Sequence, residues 1–403
     1  MKILYGVSGH GNGHITRSVY IIKFLESKGH KVKILTYGQG IKYIKSREDK
    51  FDYMNISGFD IYYRDGIVRN YKTFYEFMKN LPLNSAKQLL MFFRVVYDFK
   101  PHIVISDFEP FSQILAKSIG IPLIDIDNNI AVNIVKDNPD PSSYSEKFYT
   151  KATVHLFVRK AKYHFLLAFA PEHIEIDKNK KYKLIIVPPI IRNEIIKAKK
   201  TVVDKNFILI YQTSNSMVDG IKKLTERFKS IDFIAYKVAM EDKSNLKVKQ
   251  FSNDDFIRDL ASCSGVVTNG GFTLISEAIY LGKPIYSVPI KGQYEQRVNG
   301  FLIEKMGYGL TNNDFNEDRF EKFMKNLDSY KKNLSTYFQD ENKEFKKKLF
   351  AALNLVNENL PKRYYDVIIA SIIPIIQINA LKFIFSKIIP VYKQQIVKLK
   401  SRF

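Results

Sequence analysis

Short apolar runs alternate with amphipathic stretches along most of this chain. Residues 3–7 form an apolar run that ends in Ser8-Gly9-His10-Gly11-Asn12-Gly13-His14. Behind it, Ile15, Val19, Ile22 and Leu25 recur at the spacing of one helical face. Gly29 then stands where a helix-ending glycine belongs. Further strands are expected at 32–37, at 102–106 (opened by Pro101 and closed by Asp107) and at 121–126, with a helix at 111–118. Residues 59–96 are rich in Phe, Tyr, Leu and Met.

The pattern ends with an apolar run at 184–187 and Pro188-Pro189, then starts again. Residues 191–205, with Lys197, Lys199 and Lys200, read as a polar connector. Strands are expected at 207–211, 233–236, 246–249, 265–268 and 285–288, with helices between them. Alternating strands and helices of this length predict βαβ units and parallel sheets. The fold class expected is α/β, with two consecutive doubly wound units. Their expected bounds are 1–190 and 206–345, with the connector between them and a C-terminal segment at 346–403.

Length and composition agree with two domains. The chain has 403 residues, of which 45% are hydrophobic, enough for two buried cores. Its one cysteine, Cys263, excludes a disulfide framework and a cysteine-based zinc site, and it predicts a reducing, cytoplasmic setting. Cys263 reads as a small buried residue. Lys and Arg number 63 against 41 Asp and Glu, a formal charge of +22, which favours anionic partners. No nucleic-acid motif accompanies that charge, so a nucleic-acid partner is not expected. No signal peptide and no run of about 20 uncharged apolar residues is visible.

Two constellations carry candidate chemistry. The first is the loop Gly9 to His14, between a strand and a helix. Glycines let a ligand approach the backbone, and a helix N-terminus favours an anion. Gly9, His10, Gly11, Asn12 and Gly13 are therefore candidate acceptor or phosphate contacts, joined by Arg17 one turn on. The glycine spacing departs from the dinucleotide fingerprint. Leu35-Thr36-Tyr37 also offers no acidic residue to a ribose, so nicotinamide binding is not expected. His14 is a candidate general base, and Asp107, ending a later strand of the same sheet, its orienting carboxylate. Glu109 is the near alternative to Asp107, and His10 to His14. Simple helix capping by His14 and Asp107 competes with this reading.

The second constellation runs Thr268-Asn269-Gly270-Gly271-Phe272-Thr273-Leu274-Ile275-Ser276-Glu277-Ala278, then Leu281-Gly282-Lys283-Pro284, then Gln293-Tyr294-Glu295-Gln296-Arg297-Val298-Asn299. Here a strand ends at a Gly-Gly turn and a helix starts near Phe272, where free amides can take a diphosphate. Glu277 falls within that helix, where a carboxylate can accept two ribose hydroxyls. The cluster that follows is suited to hydrogen-bond a sugar.

Segment 268–299 resembles the sugar-donor signature of GT-B glycosyltransferases, as shared by UDP-glycosyltransferases and MurG-like enzymes. The GHGNGHITRS loop and Ser106-Asp107-Phe108-Glu109-Pro110 resemble the glycine loop and the aspartate-bearing strand end of the same superfamily. The resemblance implies two Rossmann-like domains facing a central cleft, the first for the acceptor and the second for a nucleotide-sugar, with a UDP-sugar the family-weighted expectation. It implies ribose binding by Glu277 and diphosphate binding by Gly270, Gly271, Phe272 and Thr273. It further implies sugar contacts from Gln293, Glu295 and Gln296, a supporting Asn299, and phosphate contacts near Asn269, Thr213 and Ser214. Thr268, Asn269 and Phe272 depart from the His and Trp of plant-type members. No cofactor beyond the nucleotide-sugar is implied. No metal-ligating Asp-x-Asp is evident in the pattern, which agrees with metal-independent transfer, and the His14/Asp107 pair implies inversion.

Residues 367–381 carry no charge, Pro374 would kink a helix there, and basic and apolar residues mix to the end. Residues 346–403 hold 11 Lys/Arg against Glu358 and Asp366. For 367–403 this composition predicts peripheral contact with an anionic membrane, against the alternative of packing on the first domain, and the acceptor expected is a lipid or glycan. For 346–363 the expectation is a helix folded back on the first domain. The aromatic stretch 59–93 is either core or the wall of a lipid groove. Competing functions are a nucleotide-sugar epimerase on the same fold and a non-catalytic subunit that binds the sugar donor or recruits a membrane partner.

Overall fold

The computed structural model describes residues 1–358 except 57, 59–61, 65–66, 70–71, 74, 76–93, 137–143, 158–160, 176–182 and 202. The sequence readings for most of 59–93 and for the tail at 359–403 lie outside the described residues.

Seven strands build the first sheet: β1 Lys2–Val7, β2 Lys31–Thr36, β3 Tyr53–Asn55, β6 Ile103–Asp107, β7 Leu123–Asp127, β8 Tyr163–Leu167 and β9 Lys183–Val187. The hairpin β4 Tyr63–Arg64 and β5 Ile67–Val68 stands apart from it. The order is β3-β2-β1-β6-β7-β8-β9, all parallel, so the winding reverses between β1 and β6. Six strands build the second sheet: β10 Ile208–Tyr211, β11 Phe233–Tyr236, β12 Leu246–Lys249, β13 Gly265–Thr268, β14 Ile285–Ser287 and β15 Gly309–Thr311. Its order is β12-β11-β10-β13-β14-β15, again all parallel, with the reversal between β10 and β13.

The hydrophobic pattern accounts for the packing. Helix Gly13–Ser27 buries Ile15, Val19, Ile22 and Leu25 against the first sheet. Each such side chain contributes on the order of 1.5–3 kcal/mol of burial. Gly29 closes that helix in the left-handed region, at φ +78°. The inner strands of both sheets are buried on both faces, so they appear in the sequence as continuous apolar runs, whereas the edge strands β3 and β12 are largely uncovered. Cys263 is 1% exposed in the second core, and burial pushes its thiol up to about 12.

The connector is more ordered than its composition suggests. Residues 191–205 include the helix Asn193–Thr201, which buries Ile195, Ile196 and Ala198 and donates Lys199 Nζ to the Tyr280 carbonyl at 2.6 Å. Its lysines are the outward face of an amphipathic helix, and this masked its periodicity in the sequence.

The chain crosses between the domains a second time. Helix Lys343–Glu358 returns to the first sheet, where Phe345 meets Phe165 edge-on at 5.9 Å and Lys348 Nζ donates to the Ile186 carbonyl. The two crossings are tied together. Buried Asn342 accepts from the Ile191 amide at 2.9 Å and donates to the Ile191 carbonyl at 2.8 Å, while Gln339 donates to the Pro189 carbonyl. Among the described residues no helix is long and apolar enough to cross a membrane.

Candidate active site

In open parallel sheets, ligands sit beyond the carboxyl ends of the strands where the winding reverses. Both reversals here face one cavity of about 650 Å³ between the domains. From the first sheet come the loop after β1 and the end of β6. From the second come the turns after β10 and β13.

Asp107, the last residue of β6, is fully buried and collects every polar group around it. His14 Nδ1 lies 2.7 Å from Oδ1. Arg17 donates through Nε to Oδ2 at 2.7 Å and through Nη2 to Oδ1 at 2.5 Å, and Ser18 donates to Oδ2 at 3.0 Å. Burial alone would raise the Asp107 carboxyl, but Arg17 and then His14 outweigh it and hold it down to about 2. Arg17 Nη2 also lies 2.9 Å from His14 Nδ1. In the tautomer whose Nδ1–H donates to the carboxylate, Nε2 is the ring nitrogen with a lone pair. Phe108 stacks on His14, with ring centroids 6.0 Å apart and 11° between planes. It does so from a left-handed backbone at φ +51°, a conformation that costs a non-glycine residue about 1–2 kcal/mol.

Several sequence expectations change. Arg17 was placed with the phosphate loop, but its buried guanidinium is committed to Asp107 and, through Nη1 at 2.6 Å, to Asn128. Glu109 is no alternative to Asp107. It caps helix Pro110–Ile119, accepting from Phe111 and Ser112 amides at 2.8 and 2.6 Å, and burial pushes it up to about 7. His10 lines the cleft, and burial, with the neighbouring His14, pushes it down to about 4. The sequence does contain an Asp-x-Asp, at Asp125-Ile126-Asp127 in β7. Burial raises both carboxyls well above their usual range, and Asp125 is held by Gln113 and His164. Among the described residues no cluster of His, Cys, Asp or Glu is arranged to hold a metal ion.

Gly11, Asn12 and Gly13 line the cavity, while Gly9 lies behind them. A Cβ on Gly9 would come within 2.1 Å of the Tyr37 carbonyl, so the loop packs too closely there for any other residue.

On the opposite wall, β13 runs into Asn269-Gly270-Gly271 and then helix Phe272–Tyr280, which no side chain caps. Gly270 takes φ +93° with Asn299 Nδ2 on its carbonyl at 3.0 Å. Buried Asn269 works as a brace. It accepts from the Thr213 amide at 2.9 Å and donates to the Val288 carbonyl at 3.1 Å. Gly271, Phe272, Thr273 and Thr213 line the cavity. Ser214 instead donates to Ser216 at 3.0 Å. Gln293, Glu295 and Gln296 line it from the start of helix Tyr294–Lys305, with Gln296 Oε1 accepting from the Ile290 amide at 2.9 Å. Glu277 also reaches the cavity, but both its oxygens are engaged by Arg192, at 2.6 and 2.9 Å.

The two walls touch. Thr273 Oγ1 donates to the Gly13 carbonyl at 3.3 Å, and Asn128 Nδ2 to Glu295 Oε1 at 2.8 Å. Glu146 accepts from the Gly292 amide at 3.0 Å and faces Arg297 Nε at 3.0 Å. A chain of contacts thus runs from His14 through Asp107, Arg17 and Asn128 to Glu295.

Two glycine-bearing helix N-termini meet across one interdomain cleft, with a histidine–aspartate pair on one wall. A profile described as Glycosyl transferase family 1 matches residues 1–328. The chain belongs to that family. It is a glycosyltransferase of the GT-B fold. Two curated relatives, each called an uncharacterized glycosyltransferase, come from Methanosarcina mazei and Methanosarcina acetivorans. Each is 24% identical, over 345 and 335 residues, and each match covers 77% of this chain and 85% of the relative. Among solved structures, Phytolacca americana UGT2 complexed with UDP-2-fluoro-glucose and pterostilbene superposes with TM-score 0.64 at 14% identity. That match covers 88% of this chain and 99% of that one. The spinosyn rhamnosyltransferase SpnG, complexed with spinosyn aglycone, gives 0.59 at 12%, covering 89% of this chain and all of that one.

Among the residues of this glycosyltransferase site that sequence reasoning missed are Phe108, Asn128, Arg192 and Asn253. For Asn128 a signal existed, since Asp127-Asn128-Asn129 is a polar triplet at the carboxyl end of an expected strand. Arg192 opens the connector, which had been read only for its lysines.

Proposed function

We propose that this glycosyltransferase moves a sugar from a nucleoside-diphosphate sugar, with UDP the favoured nucleotide, onto a hydroxyl acceptor with inversion. The single observation that carries the reading is the His14–Asp107 contact, facing the uncapped helix at Phe272 across the same cleft. His14 Nε2 takes the acceptor hydroxyl's proton as its oxygen attacks the anomeric carbon. The bond to the diphosphate breaks, and the electron pair leaves with the diphosphate oxygen. Asp107 holds the ring in the tautomer that accepts a proton and balances the imidazolium that forms. Free amides at Gly271, Phe272 and Thr273, at the positive end of the helix, stabilise the leaving diphosphate. Glu295 and Gln296 orient the sugar. This arrangement supports transfer without a metal, so chelator leaves the rate unchanged.

Thermal denaturation against UDP, GDP, ADP and their sugar derivatives tests the sugar-donor half. A ligand held about 100-fold above its Kd stabilises the folded state by about 2.7 kcal/mol, so Tm rises with the cognate nucleotide. Folded protein that shifts with none of them refutes the proposal.

The acceptor is proposed to be lipid-linked, a reading supported by the basic and apolar composition of 367–403. The full chain then sediments with vesicles containing phosphatidylglycerol and not with phosphatidylcholine vesicles, and the difference fades in high salt. Equal sedimentation with both removes the membrane part of the proposal and leaves the transfer chemistry standing.

A further inference from the structure

Helix Tyr144–Phe157 of the first domain turns its two sides to different surroundings. One side carries Val154, which is buried, and Glu146, which meets the Gly292 amide and Arg297 of the second domain. The other carries Tyr144, Lys147, Phe148 and Lys151, at the i, i+3, i+4, i+7 spacing of a single helical face. Tyr144 is 71% exposed and Phe148 68%. Exposed His155 extends this face by one more turn.

A single exposed ring needs no explanation, but two rings one turn apart, interleaved with lysines, form a patch. Phe148 is steadied by Tyr149, edge-on at 5.7 Å and 76°. Neither lysine has an ion-pair partner among the described residues. Partial burial and then the charge of Lys147 push the Lys151 ammonium down. The one acid of the helix, Glu146, faces away. The core of a protein–protein interface is depleted in lysine, whereas rings beside lysines suit the headgroup layer of an anionic bilayer.

The helix also borders the cleft. It packs on helix Tyr294–Lys305 and on helix Ala131–Ile134. Gln293, Glu295 and Gln296 stand at the start of the first, and Asn128 and Asn129 precede the second; all five line the cavity. Glu146 and Phe148 lie on opposite sides of one helix, so the patch is about 10–12 Å from the Gly292 turn.

We propose that this face of the first domain docks on an anionic lipid surface and sets the cleft beside the headgroup layer. The proposal rests on the membrane part of the reading above and adds a contact separate from residues 367–403. Tyr144 and Phe148 enter the interfacial layer, and Lys147 and Lys151 meet lipid phosphates. A lipid-linked acceptor then reaches the cleft while its apolar part stays in the bilayer.

The full chain suits a site-specific test. Its one cysteine, Cys263, is buried, with its thiol raised to about 12, so Phe148→Cys supplies a single reactive thiol for a fluorophore. On protein bound to phosphatidylglycerol vesicles, nitroxide-labelled lipid is expected to quench that fluorophore. Lys147→Glu with Lys151→Glu is expected to weaken vesicle binding by roughly tenfold or more. A fluorophore left unquenched on vesicle-bound protein, or unaltered binding by the double variant, overturns the inference and leaves the C-terminal segment as the membrane contact. A parent chain that does not sediment with these vesicles overturns the inference together with the membrane part of the reading, while the transfer chemistry stands. A parent chain that is a dimer in solution, and a monomer as Phe148→Ser, gives the face to a second copy and overturns the inference as well. The label replaces an exposed ring, so its reading does not depend on a core residue.

Discussion

Replacing His14 by alanine is expected to cut sugar transfer by roughly 10²–10⁴-fold, the usual contribution of a positioned general base. The same variant should keep its nucleotide-induced rise in Tm, because the hydrogen-bond partners of His14 among the described residues, Asp107 and Arg17, lie in its own domain. Release of nucleoside diphosphate in the presence of acceptor measures the first quantity, and thermal denaturation the second. A His14→Ala protein that transfers at the parent rate removes the base assignment. Loss of nucleotide binding as well would make His14 a structural residue of the cleft. The prediction is specific because Phe108 and Asp107 fix the imidazole from two directions, so alanine removes a positioned group and leaves its surroundings in place.

Asp107→Ala should have the largest effect on stability, about 3–5 kcal/mol, because it leaves Arg17 as a buried, unbalanced charge. At roughly 2–4 °C per kcal/mol, Tm falls by on the order of 10 °C. The double change Asp107→Leu with Arg17→Met removes both charges and should recover most of the loss. A single variant no less stable than the double would show that the pair carries no such coupling. The pH dependence follows from the depressed carboxyl. Its folded value, about 2, lies below the usual 3.8, so its contribution is complete above pH 4 and fades as pH falls toward 2. Asp107→Ala should therefore flatten the acid limb of the stability profile.

The parts of the fold carried by local pattern were open to reading in advance. Strands at 233–236 and 265–268 fall where the structure has them, because buried parallel strands are short apolar runs between turns, and the edge strand at 246–249 does so through its alternation of Leu246 and Val248 with two lysines. His14 and Asp107 were recognisable as a pair because each ends or follows a strand, and strand ends of one parallel sheet share an edge. Strand β8 went unread, as did helix Tyr144–Phe157, where polar and apolar positions mix with little periodicity. The partners of Arg17, Asn128 and Glu277 were out of reach for a different reason. Arg17 to Asp107 spans 90 residues, Arg192 to Glu277 85, and Asn128 to Glu295 167. No local periodicity encodes which side chains meet after two sheets have packed. The left-handed turn at Phe108 is similarly hidden, since the residue type argues against that backbone.

The two crossings between the domains, clasped where Asn342 holds Ile191, have a mechanical consequence. Two bodies joined by one flexible chain can slide, twist and tilt. Joined at two strands that are pinned to each other, they keep in effect one degree of freedom, a rotation about the clasp. Closing such a jaw on a substrate then freezes a single soft coordinate rather than several. The entropy surrendered on closure is correspondingly small, and more of the binding energy remains for the reacting groups.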